Sequence, residues 1–176
     1  MSPVAVIVGP PGAGKTTVAG LLAATLGVPV RDTDTDVEAL AGMAVADIFV
    51  ERGEPAFREL EQQAVTAALA SHDGVLALGG GAVMNPLTEA ALAGHPVVFL
   101  DVQITDAAKR IGFNASRPLL VGNPRAQWIK LMEARRPVYT RVATVRVETD
   151  GLTPEQVADR VVQALEDLGR NGEDRR

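Results

Sequence analysis

Gly9-Pro10-Pro11-Gly12-Ala13-Gly14-Lys15-Thr16 matches G-x-x-x-x-G-K-[ST] and stands between a short apolar run, Val4 to Val8, and a segment of helical spacing, Lys15 to Leu26. No other feature constrains the fold as strongly. Glycines let such a loop wrap with its backbone N–H groups pointing inward at a polyphosphate. The N-terminus of the following helix adds positive dipole. Lys15 can reach the β- and γ-phosphates, and the Thr16 hydroxyl can ligate Mg²⁺. The run VAVIV shows no polar alternation, as expected of a strand buried on both faces. A buried strand feeding a loop and then a helix is one unit of an α/β fold with a mostly parallel sheet.

The rest of the chain repeats that alternation. In the first helix, Val18, Leu21, Leu22 and Leu26 lie on one side, and Gly27 ends it. Val28 to Asp32 reads as a second strand, and Thr33 to Arg52 as two short helices broken at Gly42. Pro55 fits the first turn of a helix running to about Ala70, with Phe57, Leu60 and Ala64 on its inner face. Gly74 to Leu78 and Pro96 to Leu100 read as strands on either side of a short helix, Pro86 to Ala93. Thr105 to Ile111 and Arg125 to Arg136 read as helices, and Gly112 to Pro124, poor in apolar periodicity, as a mobile loop between them. Ala143 to Val147 is the last strand. A helix over Thr153 to Leu168 follows, with capping-box spacing between Thr153 and Gln156, Pro154 at its first position and Gly169 at its end. Residues 1–169 then form one domain and Arg170 to Arg176 a disordered tail.

Composition removes several function classes. With no cysteine there is no disulfide framework, thiolate metal site or cysteine nucleophile. The only histidines, His72 and His95, are far apart, which argues against a paired-histidine metal site and a histidine-based triad. A net charge of −5 gives no bulk attraction to nucleic acid or anionic membrane, and six aromatic residues leave no stacking platform for single strands. The longest uncharged stretches, Thr16 to Val30 and Gly74 to Thr88, are 15 residues each, too short for a membrane span. A cytoplasmic monomer is the expectation.

In open α/β sheets ligands sit beyond the carboxyl ends of the strands, and the chemically informative residues fall there. Asp32 and Asp34 close the second strand. One carboxylate can hold metal-bound water while the other faces an acceptor hydroxyl; helix capping is the structural alternative for both, and Asp36 reads as a solvated first-turn charge. Gly79-Gly80-Gly81 follows the third strand, where it allows either close backbone approach to a ligand or a plain turn. Arg58 and Glu61 share a helix face at pairing distance, structurally or to orient Arg58 toward an anionic substrate. Arg117 lies in the mobile loop, from which a cation could be delivered to phosphoryl-transfer charge.

Taken together, GPPGAGKTT, the DTD of Asp32 to Asp34, FRELE at Phe57 to Glu61, GGGAV at Gly79 to Val83, RPLL at Arg117 to Leu120 and RRPVY at Arg135 to Tyr139 resemble the shikimate kinases. The resemblance spans Val4 to about Leu168. It implies a three-layer α/β/α P-loop kinase fold with a five-stranded parallel sheet in the order 2-3-1-4-5, substrate-binding helices over about 33–61 and a small lid over about 112–124. It implies transfer of the ATP γ-phosphate to the 3-hydroxyl of shikimate, with Mg²⁺. Gly12, Ala13, Gly14, Lys15, Thr16 and Thr17 would hold the nucleotide phosphates, with Arg110 and Pro154 near adenine. Thr16 and Asp32 would serve the metal. Asp34 would bind the shikimate hydroxyls and orient or deprotonate the acceptor. Arg58, oriented by Glu61, and Arg135 would clamp the carboxylate. Arg135 rather than Arg136 has the R-x-P-x-Y spacing. Gly79, Gly80 and Gly81 would contact shikimate through their backbone, and Arg117 would come from the lid.

Other readings use the same phosphate loop with a different acceptor pocket: a gluconate kinase, a nucleoside monophosphate kinase, or a nucleotide switch that hydrolyses ATP without an acceptor. The set of Asp34, Arg58, Gly79 to Gly81 and Arg135 favours a carboxylated, hydroxylated ring, because a carboxylate suits bidentate guanidinium contacts and hydroxyls suit a carboxylate acceptor.

Overall fold

A computed structural model of the chain describes residues 2–112 and 122–173. Five strands, β1 (Ala5–Val8), β2 (Val30–Asp32), β3 (Val75–Ala77), β4 (Val97–Asp101) and β5 (Val145–Glu148), form one sheet in the order β2-β3-β1-β4-β5. Every pairing is parallel. Helices α1 (Lys15–Leu26), α2 (Thr33–Ala41), α3 (Val45–Ser71), α4 (Pro86–Ala91), α5 (Ile104–Ile111), α6 (Pro124–Val142) and α7 (Pro154–Glu173) connect and cover it. The central strands β1, β3 and β4 are buried along their whole length, which explains their unalternated apolar runs. Both expectations, a parallel α/β sheet and the strand order implied by the resemblance, hold.

The long element α3 is two helices joined at Gly53, whose φ of 82° and ψ of 167° break the hydrogen-bond ladder. The expected start near Pro55 follows from this break. Phe57 and Ala64 pack with Val37 and Ile48 in a small second core, with Leu60 partly buried against it. That core anchors α2 and the first half of α3 beside the sheet, independently of the main core under β1, β3 and β4.

Some local expectations are corrected. Leu26 is not on the buried stripe: it sits in the last turn of α1, just before Gly27 reverses the chain, and is exposed, whereas Val18, Ala19, Leu22 and Ala23 are buried. Helix α6 does not stop at Arg136 but runs through Pro137 to Val142. Proline removes a ladder bond there, yet Pro137 and Glu133, whose carbonyl loses its partner, are on the exposed side, so water can satisfy it. Keeping the helix going retains the buried stripe Trp128, Met132, Arg135 and Tyr139. Gly169 does not end α7, which continues to Glu173, so the first part of the expected tail is helical. Arg170 pairs there with Glu166 and Asp167 at 3.3 and 3.6 Å. Asp36 is not simply solvated: it pairs with Arg31 at 2.7 Å. The end of the expected lid, from Gly122, leads directly into α6, which Asn123 caps by accepting from the Ala126 N–H at 3.2 Å. Phe113 to Val121, including Arg117 and the RPLL motif, lie outside the described residues.

Candidate active site

The carboxyl ends of the strands open into a cleft of about 580 Å³. Its floor is the loop after β1. Gly12 and Gly14 both have φ of 84°, a conformation that side chains disfavour, and it turns the loop around the N-terminus of α1. Ala13, Lys15, Thr16 and Thr17 also line the cleft, as do Asp32 at the end of β2, Asp34 in the first turn of α2 and Gly80 after β3. The far wall consists of Arg110, Ile111, Leu152, Pro154 and Val157. All six expected phosphate-loop residues, and Arg110 and Pro154, thus share one cavity.

Thr16 and Asp32, distant in sequence, meet here: the Thr16 hydroxyl donates to Asp32 Oδ2 at 2.7 Å. Asp32 Oδ1 accepts from the Asp34 N–H at 2.9 Å, so Asp32 caps α2 as well as facing the cleft. The capping reading holds for this residue and does not use up its carboxylate, because the second oxygen still meets Thr16 at the cleft. A hydroxyl and a carboxylate next to a phosphate loop are hard oxygen donors of the type Mg²⁺ takes while keeping several waters.

Next to Gly80, Gly81 lines a second hollow together with Arg58, Glu61 and Arg135. Arg58 donates from Nη1 to Glu61 Oε1 at 2.7 Å, and Glu54 supports it from the preceding turn at 3.3 Å. Glu61 is buried. Desolvation pushes its carboxyl above the ordinary range, Arg58 pulls the other way, and the charge of Asp34 adds to the rise. Arg135 is 5% exposed and comes from the inner face of α6.

The three glycines occupy the space these groups need. A Cβ on Gly79 would lie 2.7 Å from Glu61 Oε2 and 2.8 Å from Asp34 Oδ1. On Gly80 it would lie 3.3 Å from Arg135 Nη1, and on Gly81 2.5 Å from Arg58 Nη1. Asp34, Arg58, Glu61 and Arg135 therefore converge on one strip of backbone that carries no side chains. The protein's own side chains approach this backbone closely, which a plain turn would not require.

Other residues shape this site besides those given roles from the sequence. Tyr139 is fully buried, stacks on Phe99 at 5.0 Å between ring centroids, and donates its hydroxyl to the Gly80 carbonyl. Burial pushes its pKa up to about 12, so it remains a neutral donor at physiological pH. Trp128 donates to the Pro11 carbonyl at 2.8 Å. Thr33 accepts the Gly79 N–H at 3.2 Å. Thr149, with no exposed surface, accepts from Arg110 Nη1 at 2.9 Å and holds that side chain against the far wall. The signal for the two aromatic residues was available. Trp128, Arg135 and Tyr139 are spaced by seven and four, the buried stripe of a helix, in a chain with few aromatics.

Comparison with known proteins bears on the same region. A family model described as shikimate kinase matches residues 11–166. A shikimate kinase of Streptomyces avermitilis is 57% identical, over 93% of this chain and 96% of its own. Among solved structures, the shikimate kinase of Acinetobacter baumannii in complex with shikimate superposes with a TM-score of 0.90 at 32% identity, covering 95% of this chain and 94% of that one. A gluconokinase from Sinorhizobium meliloti 1021 reaches a TM-score of 0.61 at 18% identity, covering 98% of this chain and 97% of that one, a likeness of fold alone.

Proposed function

The chain belongs to the shikimate kinase family, and from that premise we propose how its own residues transfer the γ-phosphate of ATP to the 3-hydroxyl of shikimate. The enzyme is an ATP-dependent phosphotransferase with an alcohol acceptor. The observation that carries the assignment of roles is the convergence of Asp34, Arg58, Glu61 and Arg135 on Gly79 to Gly81, immediately beside the phosphate loop.

In this reading the backbone N–H groups of residues 12–17 and the Lys15 ammonium hold the ATP phosphates. Thr16 and Asp32 would hold Mg²⁺, which when bound neutralises phosphate charge. Adenine lies along the wall of Arg110, Leu152 and Pro154. Arg58 and Arg135 clamp the shikimate carboxylate, and Glu61 fixes the direction of the Arg58 fork. Shikimate rests on Gly79 to Gly81, where any Cβ would intrude, with its hydroxyls toward Asp34. The 3-hydroxyl oxygen forms a bond to the γ-phosphorus as the bond to the β,γ-bridging oxygen breaks. ADP leaves, and the hydroxyl proton passes to Asp34. Positioning and charge neutralisation supply most of the acceleration in such transfers. Arg117, outside the described residues, is proposed to add positive charge from the segment between α5 and α6. The enzyme is proposed to act as a monomer. Among the described residues no helix is long and apolar enough to cross a membrane, which is compatible with a cytoplasmic enzyme.

The test is ADP release from ATP and Mg²⁺ with shikimate, with gluconate and with no acceptor. Release that depends on shikimate alone is expected. Release stimulated by gluconate would move the reading to the other kinase class, and equal release without acceptor would make the chain a slow nucleotide switch.

A further inference from the structure

Three successive carbonyls of the phosphate loop are each taken by a side-chain donor. Pro10 O accepts from Lys15 Nζ at 3.2 Å, Pro11 O from the Trp128 indole N–H at 2.8 Å, and Gly12 O from Arg110 Nη1 at 3.1 Å. Lys15 belongs to the motif itself. Arg110 comes from α5 and Trp128 from α6, 98 and 117 residues further along the chain than the carbonyls they hold. Trp128 is the chain's single tryptophan and is 2% exposed.

A peptide group is planar, and in the trans form its C=O and the next N–H point in opposite directions; no peptide here is cis. Holding the Pro11 carbonyl toward α6 therefore turns the Gly12 N–H away from α6, and Gly12 itself lines the cleft. Gly12 needs such a restraint more than most residues, because at φ of 84° without a side chain it has no steric preference holding the peptide in place. We propose that Trp128 is a positioning residue of the phosphate cradle: its indole N–H holds the Pro11 carbonyl and so aims the Gly12 N–H at the nucleotide phosphates. Trp128 shares its helix face with Arg135 and Tyr139, so α6 braces the nucleotide half of the cleft at one end and the glycine strip at the other.

The proposal rests on the reading that ATP phosphates lie on this loop, and the test separates the two. Trp128→Phe keeps an aromatic ring in the core and removes the donor. The KM for ATP should rise about fivefold, as for loss of one hydrogen bond to a preorganised group. The KM for shikimate should stay unchanged and kcat should stay within about twofold. Because Trp128 is the only tryptophan, growth on 7-azatryptophan changes this position alone and keeps the ring N–H, and it should leave the KM for ATP at the wild-type value. If Trp128→Phe does not fold, the benzothienyl analogue, which exchanges only the N–H for sulfur, should show the same rise. A KM for ATP unchanged in the folded variant or analogue overturns the proposal. So does a loss confined to kcat and thermal stability, which marks packing alone. Lys15→Ala, assayed alongside, reads the underlying assignment: if it too leaves nucleotide binding intact, the phosphates do not lie on this loop at all.

Discussion

Arg135 and Arg136 are neighbours in sequence but reach different partners, Arg135 the glycine strip after β3 and Arg136 the carboxylate that ends β4. Arg135 is buried and reaches Gly80, with a guanidinium nitrogen 3.3 Å from where a Cβ would stand. Arg136 turns outward to the buried carboxylate of Asp101, at the end of β4, which also takes Arg146 at 2.9 Å. One step along a helix rotates a side chain by about 100°, enough to separate the proposed shikimate contact of Arg135 from a structural contact. Arg135→Ala should raise the KM for shikimate on the order of 10- to 100-fold, the loss of charge-assisted hydrogen bonds. Arg136→Ala should leave that KM near normal and cost about 1–3 kcal/mol of stability, because it leaves the buried Asp101 one partner short. Steady-state kinetics and urea unfolding of both variants check the pair; equal effects on shikimate KM would show that the two are not divided in this way.

Asp34→Asn removes the proposed proton acceptor but keeps the shape and the N–H that binds Asp32. A fall in kcat of about 10²- to 10⁴-fold is expected, the range for a general base. ADP affinity, measured by calorimetry, should change little. An unchanged kcat would take Asp34 out of the acceptor site.

Gly79→Ala should be damaging although Gly79 does not have a positive φ. Its Cβ would meet the carboxylates of Glu61 and Asp34 at 2.7 and 2.8 Å, and Glu61 is buried and held by Arg58, so it has little room to move. The expected result is a drop in kcat/KM for shikimate of at least tenfold, by displacement of the reacting groups of about 1 Å. ATP binding should be retained. Normal shikimate kinetics in this variant would mean that the strip is a turn and not a substrate floor.

Glu61 gives a pH signature. Its carboxyl is raised above the ordinary 4.5, chiefly by burial. A raised folded pKa means the folded state binds the proton more tightly than the unfolded chain does. Its contribution is fully present below about pH 4.5 and is lost as pH rises through the folded value. The stability advantage of wild type over Glu61→Gln should therefore shrink as pH rises above about 4.5 in urea unfolding. An advantage that grows with pH would show that the ion pair with Arg58 outweighs desolvation.

The sequence determined the parallel sheet, the phosphate loop and most helix ends, because these depend on neighbours along the chain. The run VAVIV, the glycines at fixed spacing and the Thr153–Gln156 capping box each carry their own physical cause. Where local rules were applied alone they failed in identifiable places. Pro137 did not stop α6, because its buried stripe outweighed one lost hydrogen bond on the exposed side, and Gly169 did not end α7. Leu26 fell outside the core because a stripe continues past the end of whatever covers it. What only the tertiary structure decided are the meetings across long separations: Thr16 with Asp32, Trp128 with Pro11, Tyr139 with Gly80, and Arg58, Glu61, Asp34 and Arg135 around three glycines. A side chain's partner depends on how helices are laid over the sheet, and the spacing of residues along one chain does not encode which distant backbone atom lies within 3 Å.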